Sequence, residues 1–572
     1  MTPDTSRERR KTVARLDFDD PERVTSLLSE IDLVADDGGF ADAERQRLVS
    51  ALADVGDPDQ AALLLVRLAE TEGNDDLISA LLADADFARR LFAVLGSSRA
   101  LGEWLTAHGR EWELLQKPPA SFAELLRGVA TSVGADPDAP YTGDSGAVAS
   151  VTGPDAVRAL RTAYRRGILD IAARDLTGET EMEGVADDLS DLAAALIQSA
   201  MAVAAANLGD KASGVRLAVI GMGKCGAHEL NYVSDVDVIY VGEPTAGVSE
   251  DDAMRAGAAW ASELMRICKD VAWEVDAALR PEGRAGQLVR TMDGHRSYYE
   301  RWARTWEFQA LLKARPIAGD PELGREYVEQ IASRTWEAAE RDGFVADVQA
   351  MRRRVEDNVP DKIAERELKL GPGGLRDIEF SVQILQMVHG RGDDTIRPKD
   401  TMSALAALVD GGYIGREDGA KLGDAYRFLR TVEHRLMLTH LRRTHLMPDT
   451  DAALRPIARS LGYKASDGGD EADTLVRKRK EQAREVRRLH EKVFYRPLLN
   501  AVAEVPGDAL RLTTKAAADR LPVWVGVTDA VGATRRVLFH PASVEGGRVV
   551  GEVDGAPQVY SLHRITGVVI DG

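Results

Sequence analysis

The chain has 572 residues, of which 73 are Lys or Arg and 93 are Asp or Glu, giving a formal net charge of −20. This length predicts roughly three to five domains, and 44% apolar with 29% charged residues supplies both buried cores and a solvated surface. The acidic balance argues against a general nucleic-acid binder, which needs a concentrated basic surface, and two cysteines, Cys225 and Cys268, are too few for a disulfide framework or a four-thiolate zinc site.

The opening stretch MTPDTSRERRKTVARLDF lacks the apolar core of a signal peptide, so a reducing, cytoplasmic setting without membrane contact is expected. From Asp20 to about Lys117, apolar residues recur at spacings of three and four. This predicts helices whose core includes Leu63, Leu64, Leu65, Leu68, Leu81, Leu82, Phe87 and Leu91. Residues 118–154 are richer in Gly, Pro, Ser and Asp, with a loop expected at 136–145. Helical periodicity resumes over 155–176 and continues in an Ala-rich helix ending near Asn207. The stretch 192–208, interrupted by Gln198, Ser199 and Asn207, is too short and polar for a membrane span and reads as a buried helix.

The texture then changes to three short apolar runs, 215–220, 236–241 and 271–277, read as strands with a helix at 251–269 between the second and third. Helical periodicity returns over 291–499, broken at the GPGG turn 371–374. Within it, 477–492 mixes both charge signs and reads as a solvated helix face. After Leu521 short β-rich runs predict a small antiparallel domain with turns near 529–533, 545–547 and 554–556. No repeat of fixed period is evident.

The chemistry concentrates in AVIGMGKCGAHELNYVSDVDVIYV, residues 218–241. Gly221 and Gly223 flank a turn at a strand end, where absent side chains let backbone N–H groups approach a phosphate, and Lys224 adds a point charge beside it. Asp235 and Asp237, two apart on a strand, project from one face. Carboxylates so placed repel unless a cation neutralises them, and Mg²⁺ prefers such hard oxygen ligands. Asp276 supplies a third carboxylate on the opposite face from Trp273, Val275 and Ala277. Three carboxylates with a phosphate-cradling turn suit two-metal phosphoryl or nucleotidyl transfer. Cys225 and His228, three apart, do not by themselves make a zinc site. Glu433, His434 and Arg435 read as intramolecular contacts. Trp302 and Trp306 read as core, with Glu307 and Lys313 beside them as candidates to line the cleft.

Gly221-Met-Gly-Lys followed by His228-Glu-Leu-Asn-Tyr-Val-Ser-Asp-Val-Asp-Val resembles the nucleotidyltransferase core of glutamine synthetase adenylyltransferase/adenylyl-removing enzymes, of the DNA polymerase β-like superfamily. The likeness continues through Tyr164-Arg-Arg-Gly-Ile-Leu-Asp-Ile, Val275-Asp-Ala-Ala-Leu-Arg-Pro-Glu-Gly-Arg and Tyr298-Tyr-Glu-Arg-Trp-Ala-Arg-Thr-Trp-Glu-Phe. Lys369-Leu-Gly-Pro-Gly-Gly-Leu-Arg-Asp-Ile-Glu-Phe is similar to the helical domain shared with uridylyltransferases of nitrogen regulation. The resemblance covers about residues 10–520. Glu367 stands where that family more often shows Asp. The tail beyond Leu521 weakly resembles small β domains of helicase-associated and WYL-type proteins.

The resemblance implies an α+β, mainly helical fold. It would comprise an N-terminal helical region (1–117), a nucleotidyltransferase domain (118–290), a helical bundle (291–520) and a small β tail (521–572). Members of that family carry two nucleotidyltransferase domains, the first removing AMP from a tyrosine of glutamine synthetase by phosphorolysis and the second attaching it. The order of elements here resembles the first. The resemblance then implies that Asp235, Asp237 and Asp276 hold Mg²⁺, and that Gly221, Gly223 and Ser234 meet the nucleotide phosphate. Lys224, Arg280 and Arg284 become candidates for the attacking phosphate or the developing charge, with a loop salt bridge to Glu282 as the alternative for the two arginines. Implied partners are glutamine synthetase, phosphate, ADP or ATP, and a PII-type signalling protein. Forward adenylylation from ATP, and a silent nucleotide- or PII-binding module, are the competing expectations.

Overall fold

The structure, a computed structural model, describes residues 12–71, 76–138, 148–341, 344–465 and 469–495, and in the tail 515–518, 521–528, 534–545, 548–553, 555–561 and 565–570. Its organising element is a mixed five-stranded sheet made of β1 (Val215–Gly221), β2 (Val236–Pro244), β3 (Val275–Asp276), β4 (Val289–Arg290) and β5 (Arg315–Gly319). The strand order is β3-β2-β1-β5, with β4 also on β2. β1 pairs antiparallel with β2 and β5, whereas β3 and β4 pair parallel with β2.

Alternate residues of β1 and β2 enter two different apolar cores, as the two-residue period of a strand requires. Val215, Leu217 and Val219 of β1, with Val236, Val238 and Tyr240 of β2, join a core that runs from Val13 through the N-terminal helices without a break near residue 117. The long helices Gly153–Leu176, Met182–Leu208 and Glu250–Val271 pack on this side. Ala218, Ile220, Ile239 and Val241 face the other way, into a core built from helices of the C-terminal half, including Leu375–His389, Arg416–His440 and Glu471–His490. The sheet is thus buried on both faces and separates the two helical halves. The mainly helical character and small β-rich tail follow the sequence reading.

Several expectations need correction. The Ala-rich helix starts at Met182, well before the segment read as helical, because Glu183, Asp187 and Asp188 extend its polar face. Residues Met182–Ala212 are long and apolar enough to cross a membrane, yet about two-thirds of their most apolar window (67%) is buried inside the protein. Leu63 and Leu82 are half-buried, while the other five leucines and Phe87 named above lie in the core. The third strand shrinks to Val275–Asp276, since Val271 still belongs to the preceding helix. The charged 477–492 stretch is not all solvated. Its helix buries Arg479, Val486, Leu489 and His490 on one face. Trp302, 73% exposed, and Trp306, 37% exposed, are not core. The helix breaks between Arg301 and Thr305, so a spacing of four no longer places them on one face.

The tail forms an antiparallel sheet of β6 (Val523–Thr528), β7 (Thr534–Glu545), β8 (Arg548–Val553), β9 (Ala556–Ser561) and β10 (Ile565–Ile570), in the order β10-β6-β7-β8-β9. The expected turn at 529–533 and residues 546–547 of the second turn lie outside the described residues. Gly555, at φ +78, sits between β8 and β9 where the third turn was expected. β10, which pairs with β6, was not foreseen.

The GPGG turn is held by two buried carboxylates. Glu367 accepts from the backbone N–H groups of Lys369 (3.2 Å), Leu370 and Gly371 (2.8 Å). Asp377 accepts from Gly373 N–H at 2.7 Å and pairs with the fully buried Arg352 at 2.5 Å. Gly373 has φ +69, and a Cβ there would stand 2.0 Å from the carbonyl oxygen of Ala483. Gly373→Ala is therefore expected to cost at least about 2 kcal/mol, through backbone strain together with a clash against main chain. Urea unfolding of the variant beside the wild type measures this, and a loss below about 0.5 kcal/mol would show the turn to be unimportant.

Candidate active site

The parallel register of β2 and β3 sets Asp237 directly opposite Asp276. Asp237 shares its strand face with Ile239 and Val241, so the carboxylates look toward the C-terminal helical half. The Asp237 carboxyl is pushed up to about 6, by burial first and then by the charges of Asp235 and Asp276, with Lys369 and Arg443 pulling the other way. The register brings Asp276 beside Asp237, and Asp235 lies near enough to add its charge.

Each carboxylate has a different partner. Asp235 Oδ2 accepts from Arg443 Nη1 at 2.6 Å, and its Oδ1 from Ser234 Oγ at 3.3 Å. Asp276 Oδ1 accepts from Ala278 N–H at 2.7 Å, and its Oδ2 lies 3.7 Å from Arg284 Nη2. Asp237 Oδ2 faces Gly223, where a Cβ would approach it to 2.5 Å. Gly223, at φ +54, opens the single helical turn Gly223–Gly226 and satisfies both the left-handed backbone and the close approach. Gly221 serves the sheet instead, since a Cβ there would meet Ile317 Cγ2 at 2.8 Å. Among the described residues, no three His, Cys, Asp or Glu side chains converge closely enough to enclose a metal ion.

The three basic candidates separate. Arg284 projects into solvent beside Asp276. Arg280 is committed to its own loop, donating to the carbonyl oxygens of Ala277 (2.7 Å), Gly286 (3.1 Å) and Arg284 (3.1 Å). Neither pairs with Glu282, whose carboxylate binds Arg290. Lys224 points into the junction between the two halves, 3.8 Å from both Glu379 Oε1 and Glu433 Oε2. Burial and the neighbouring Arg430 bring its ammonium down to about 7 against the pull of the two glutamates.

Sequence reasoning missed that junction. Burial opposes ionisation of Glu379, yet Lys224, Arg376, Lys313 and Lys369 outweigh it and hold the carboxyl at about 2. Glu433 accepts from His445 Nδ1 at 2.6 Å. Glu229 pairs with Lys313 at 2.5 Å and accepts from Thr401 N–H (2.6 Å) and Tyr426 Oη (3.0 Å), while Arg430 donates to the Glu229 and Leu230 carbonyls. Lys313 is thus interior and not a cleft residue. Glu307 is interior too, capping its own helix at Arg304 N–H. His434 and Arg435 meet Asp175, Arg435 at 2.8 Å. Cys225 is buried with its thiol raised to about 11, and the His228 ring lies 3.7 Å from both Asp187 and Asp191. A cavity of about 510 Å³ between the Phe122–Ser132 and Gly153–Leu176 helices has none of the cleft's residues in its lining.

Residues 96–330, the whole sheet included, match the family model of glutamate-ammonia ligase adenylyltransferase. Residues 346–494 match that of GlnD PII-uridylyltransferase. The chain is 51% identical over 505 residues to a bifunctional glutamine synthetase adenylyltransferase/adenylyl-removing enzyme of Streptomyces avermitilis, covering 86% of this chain and 48% of that protein. It is 47% identical over 551 residues to the Streptomyces coelicolor protein of the same name, covering 94% and 52%. A Nocardia farcinica relative is matched at 46% identity over 96% of this chain, so the alignment runs past Leu521 into the β tail. The chain spans about half the length of the curated relatives it matches.

The crowding at Asp237 has a consequence for stability. A carboxyl whose folded-state pKa is raised from 3.8 to about 6 favours the folded state at low pH. That contribution is complete below the unfolded value and is lost as pH rises through about 6, by at most about 3 kcal/mol. In chelator-treated protein, Asp237→Asn should therefore stabilise at about pH 7 and be nearly neutral at about pH 4. Chemical unfolding at the two pH values checks this, and equal effects at both would show that Asp237 is not crowded.

Proposed function

We propose that the chain is a nucleotidyltransferase that removes AMP from an adenylylated tyrosine of glutamine synthetase by phosphorolysis, regulating nitrogen assimilation. The observation that carries the reading is the cluster of Asp235, Asp237 and Asp276 on one face of a sheet within the segment matching the adenylyltransferase family model. The two-part name of the relatives covers both removal and attachment, and the order of elements described above favours removal. On this reading the five-stranded sheet and its helices are a DNA polymerase β-like core. Residues 1–117, 118–290, 291–520 and 521–572 are then the helical region, the transferase domain, the helical bundle and the tail. The match to a PII-uridylyltransferase model supports a PII-type protein as a regulatory partner.

The donor set suits Mg²⁺, since it consists of hard carboxylate oxygens and, among the described residues, Asp237 has no directly bonded cation of its own. Asp235, Asp237 and Asp276 would hold the ion, with Asp235 released by Arg443. When bound, the ion would neutralise the carboxylates and the charge developing on the transferred phosphoryl group. In the reaction, an oxygen of inorganic phosphate attacks the phosphorus of the tyrosyl-AMP ester. The bond from phosphorus to the tyrosine oxygen breaks, the phenolate takes a proton from water, and ADP leaves. Phosphate arrives ionised, so the protein's part is in-line positioning and charge stabilisation. Gly223 leaves space for an oxygen beside Asp237. Ser234 orients Asp235, and Arg284 stands exposed at the mouth beside Asp276. Lys224 and Arg280 position the loops that carry these groups.

Purified chain with adenylylated glutamine synthetase, phosphate and Mg²⁺ should release ADP. The Asp235→Asn, Asp237→Asn double variant should lower the rate by at least about a thousandfold. Pyrophosphate released from ATP, without ADP from the adenylylated protein, would identify forward adenylylation. Nucleotide binding without turnover in either direction would identify a silent regulatory module.

A further inference from the structure

The resemblance offers Lys224, Arg280 and Arg284 for the attacking phosphate, yet Lys224 faces two buried glutamates, Arg280 is committed to its own loop, and Arg284 stands in solvent beside Asp276. Arg443 is differently placed. It lies two residues beyond Leu441, which ends the Arg416–His440 helix in the left-handed conformation (φ 45, ψ 53). A leucine rarely adopts that backbone, and strain of this kind turns the chain sharply back toward the sheet. Arg443 then reaches Asp235 with Nη1 alone, at 2.6 Å, and its side chain stays 49% exposed. Among the described residues its Nε and Nη2 donate to no protein group, so most of a planar fork suited to a phosphate is open to solvent. Lys369, held by the GPGG turn, likewise makes no ion pair or side-chain hydrogen bond among the described residues. Burial first, then Arg376 and Arg443, draw its ammonium down against the pull of Glu379 and Glu433, and its charge acts on Asp237.

Resting on the transferase reading, we propose that Arg443, with Lys369, is the receptor for the attacking phosphate, supplied to the carboxylates by the helical half of the chain. Arg443 also serves as the counter-ion of Asp235 until a divalent cation competes for that carboxylate. The two roles give opposite signs on one substitution. Removing the guanidinium deprives phosphate of its donor but frees Asp235 for a cation. A merely structural arginine would weaken both.

The test is equilibrium binding on the full chain, which does not depend on turnover. Inorganic phosphate is titrated calorimetrically in the presence of Mg²⁺, and Mn²⁺ is titrated by electron paramagnetic resonance, for wild type, Arg443→Ala, Arg443→Lys and Lys369→Ala. Arg443→Ala should weaken phosphate by roughly tenfold or more while tightening Mn²⁺ severalfold. Lys369→Ala should weaken phosphate, and Arg443→Lys should restore part of the phosphate affinity. No phosphate binding to wild type, unchanged phosphate binding in Arg443→Ala, or a parallel loss of phosphate and Mn²⁺ would each overturn the proposal. ADP release from adenylylated glutamine synthetase is followed separately. Phosphate binding through Arg443 without ADP release would leave the receptor standing and remove the phosphorolysis reading.

Discussion

The two-residue period of β2 decides where every later interaction must come from. Val236, Val238 and Tyr240 point into the N-terminal core, so Asp237 and its neighbour Asp276 on β3 point the opposite way. On that side the carboxylates meet the C-terminal helical half, and their mutual repulsion has to be offset by cations from there or by a bound ion. Arg443 and Lys369 answer to that requirement. Had the register slipped by one residue, the carboxylates would be driven into the N-terminal core, a cost no local pairing could offset.

The junction between the halves obeys the same electrostatics at greater depth. Burying Glu229, Glu379 and Glu433 is unfavourable unless each is matched, because the low-dielectric interior penalises an isolated charge. Lys313, Lys224 and Arg430 supply the matching charge, His445 adds a hydrogen bond to Glu433, and these groups come from both halves of the chain. Breaking one such pair leaves a bare charge inside, which favours one fixed relation between sheet and helices. Lys224 illustrates the result. Its position beside the glycine turn suggests a phosphate ligand, but its ammonium instead joins a strand-end turn to the Leu375–His389 and Arg416–His440 helices.

The sequence was most legible where a property is local. β1 and β2 show as short apolar runs, the helices as three-and-four periodicity, and the carboxylate placement follows from a spacing of two. Legibility fell where a residue's meaning depends on a distant partner. Arg443 is 208 residues from Asp235 and Arg430 is 201 from Glu229, and nothing in their own neighbourhoods marks either as a partner of the sheet. Arg280 looked free for an anion because the carbonyls it binds belong to a loop whose path has no sequence signature. Trp302 and Trp306 depart from expectation for a simpler reason, since a spacing of four shares one face only on an unbroken helix and the chain breaks between them. Glu367 shows another such dependence, since its role is seen only where its carboxylate meets three N–H groups of the turn.

Backbone strain follows the same geography. Of the four described non-glycine residues with positive φ, His228 precedes β2 by a short loop, Glu282 follows β3, and Leu441 leads to Arg443. Such conformations cost on the order of 1–3 kcal/mol each and persist only where surrounding contacts over-determine them. At two of them the residue's own side chain makes the contact: the His228 ring lies 3.7 Å from both Asp187 and Asp191, and the Glu282 carboxylate is tied to Arg290. At Leu441 the ion pair from Arg443 to Asp235 is the corresponding contact. If a cation takes Asp235 from Arg443, that contact is surrendered, and an anion gripped by the guanidinium can restore the charge balance. Cation and phosphate would then bind cooperatively, because the first exposes the donor that the second requires.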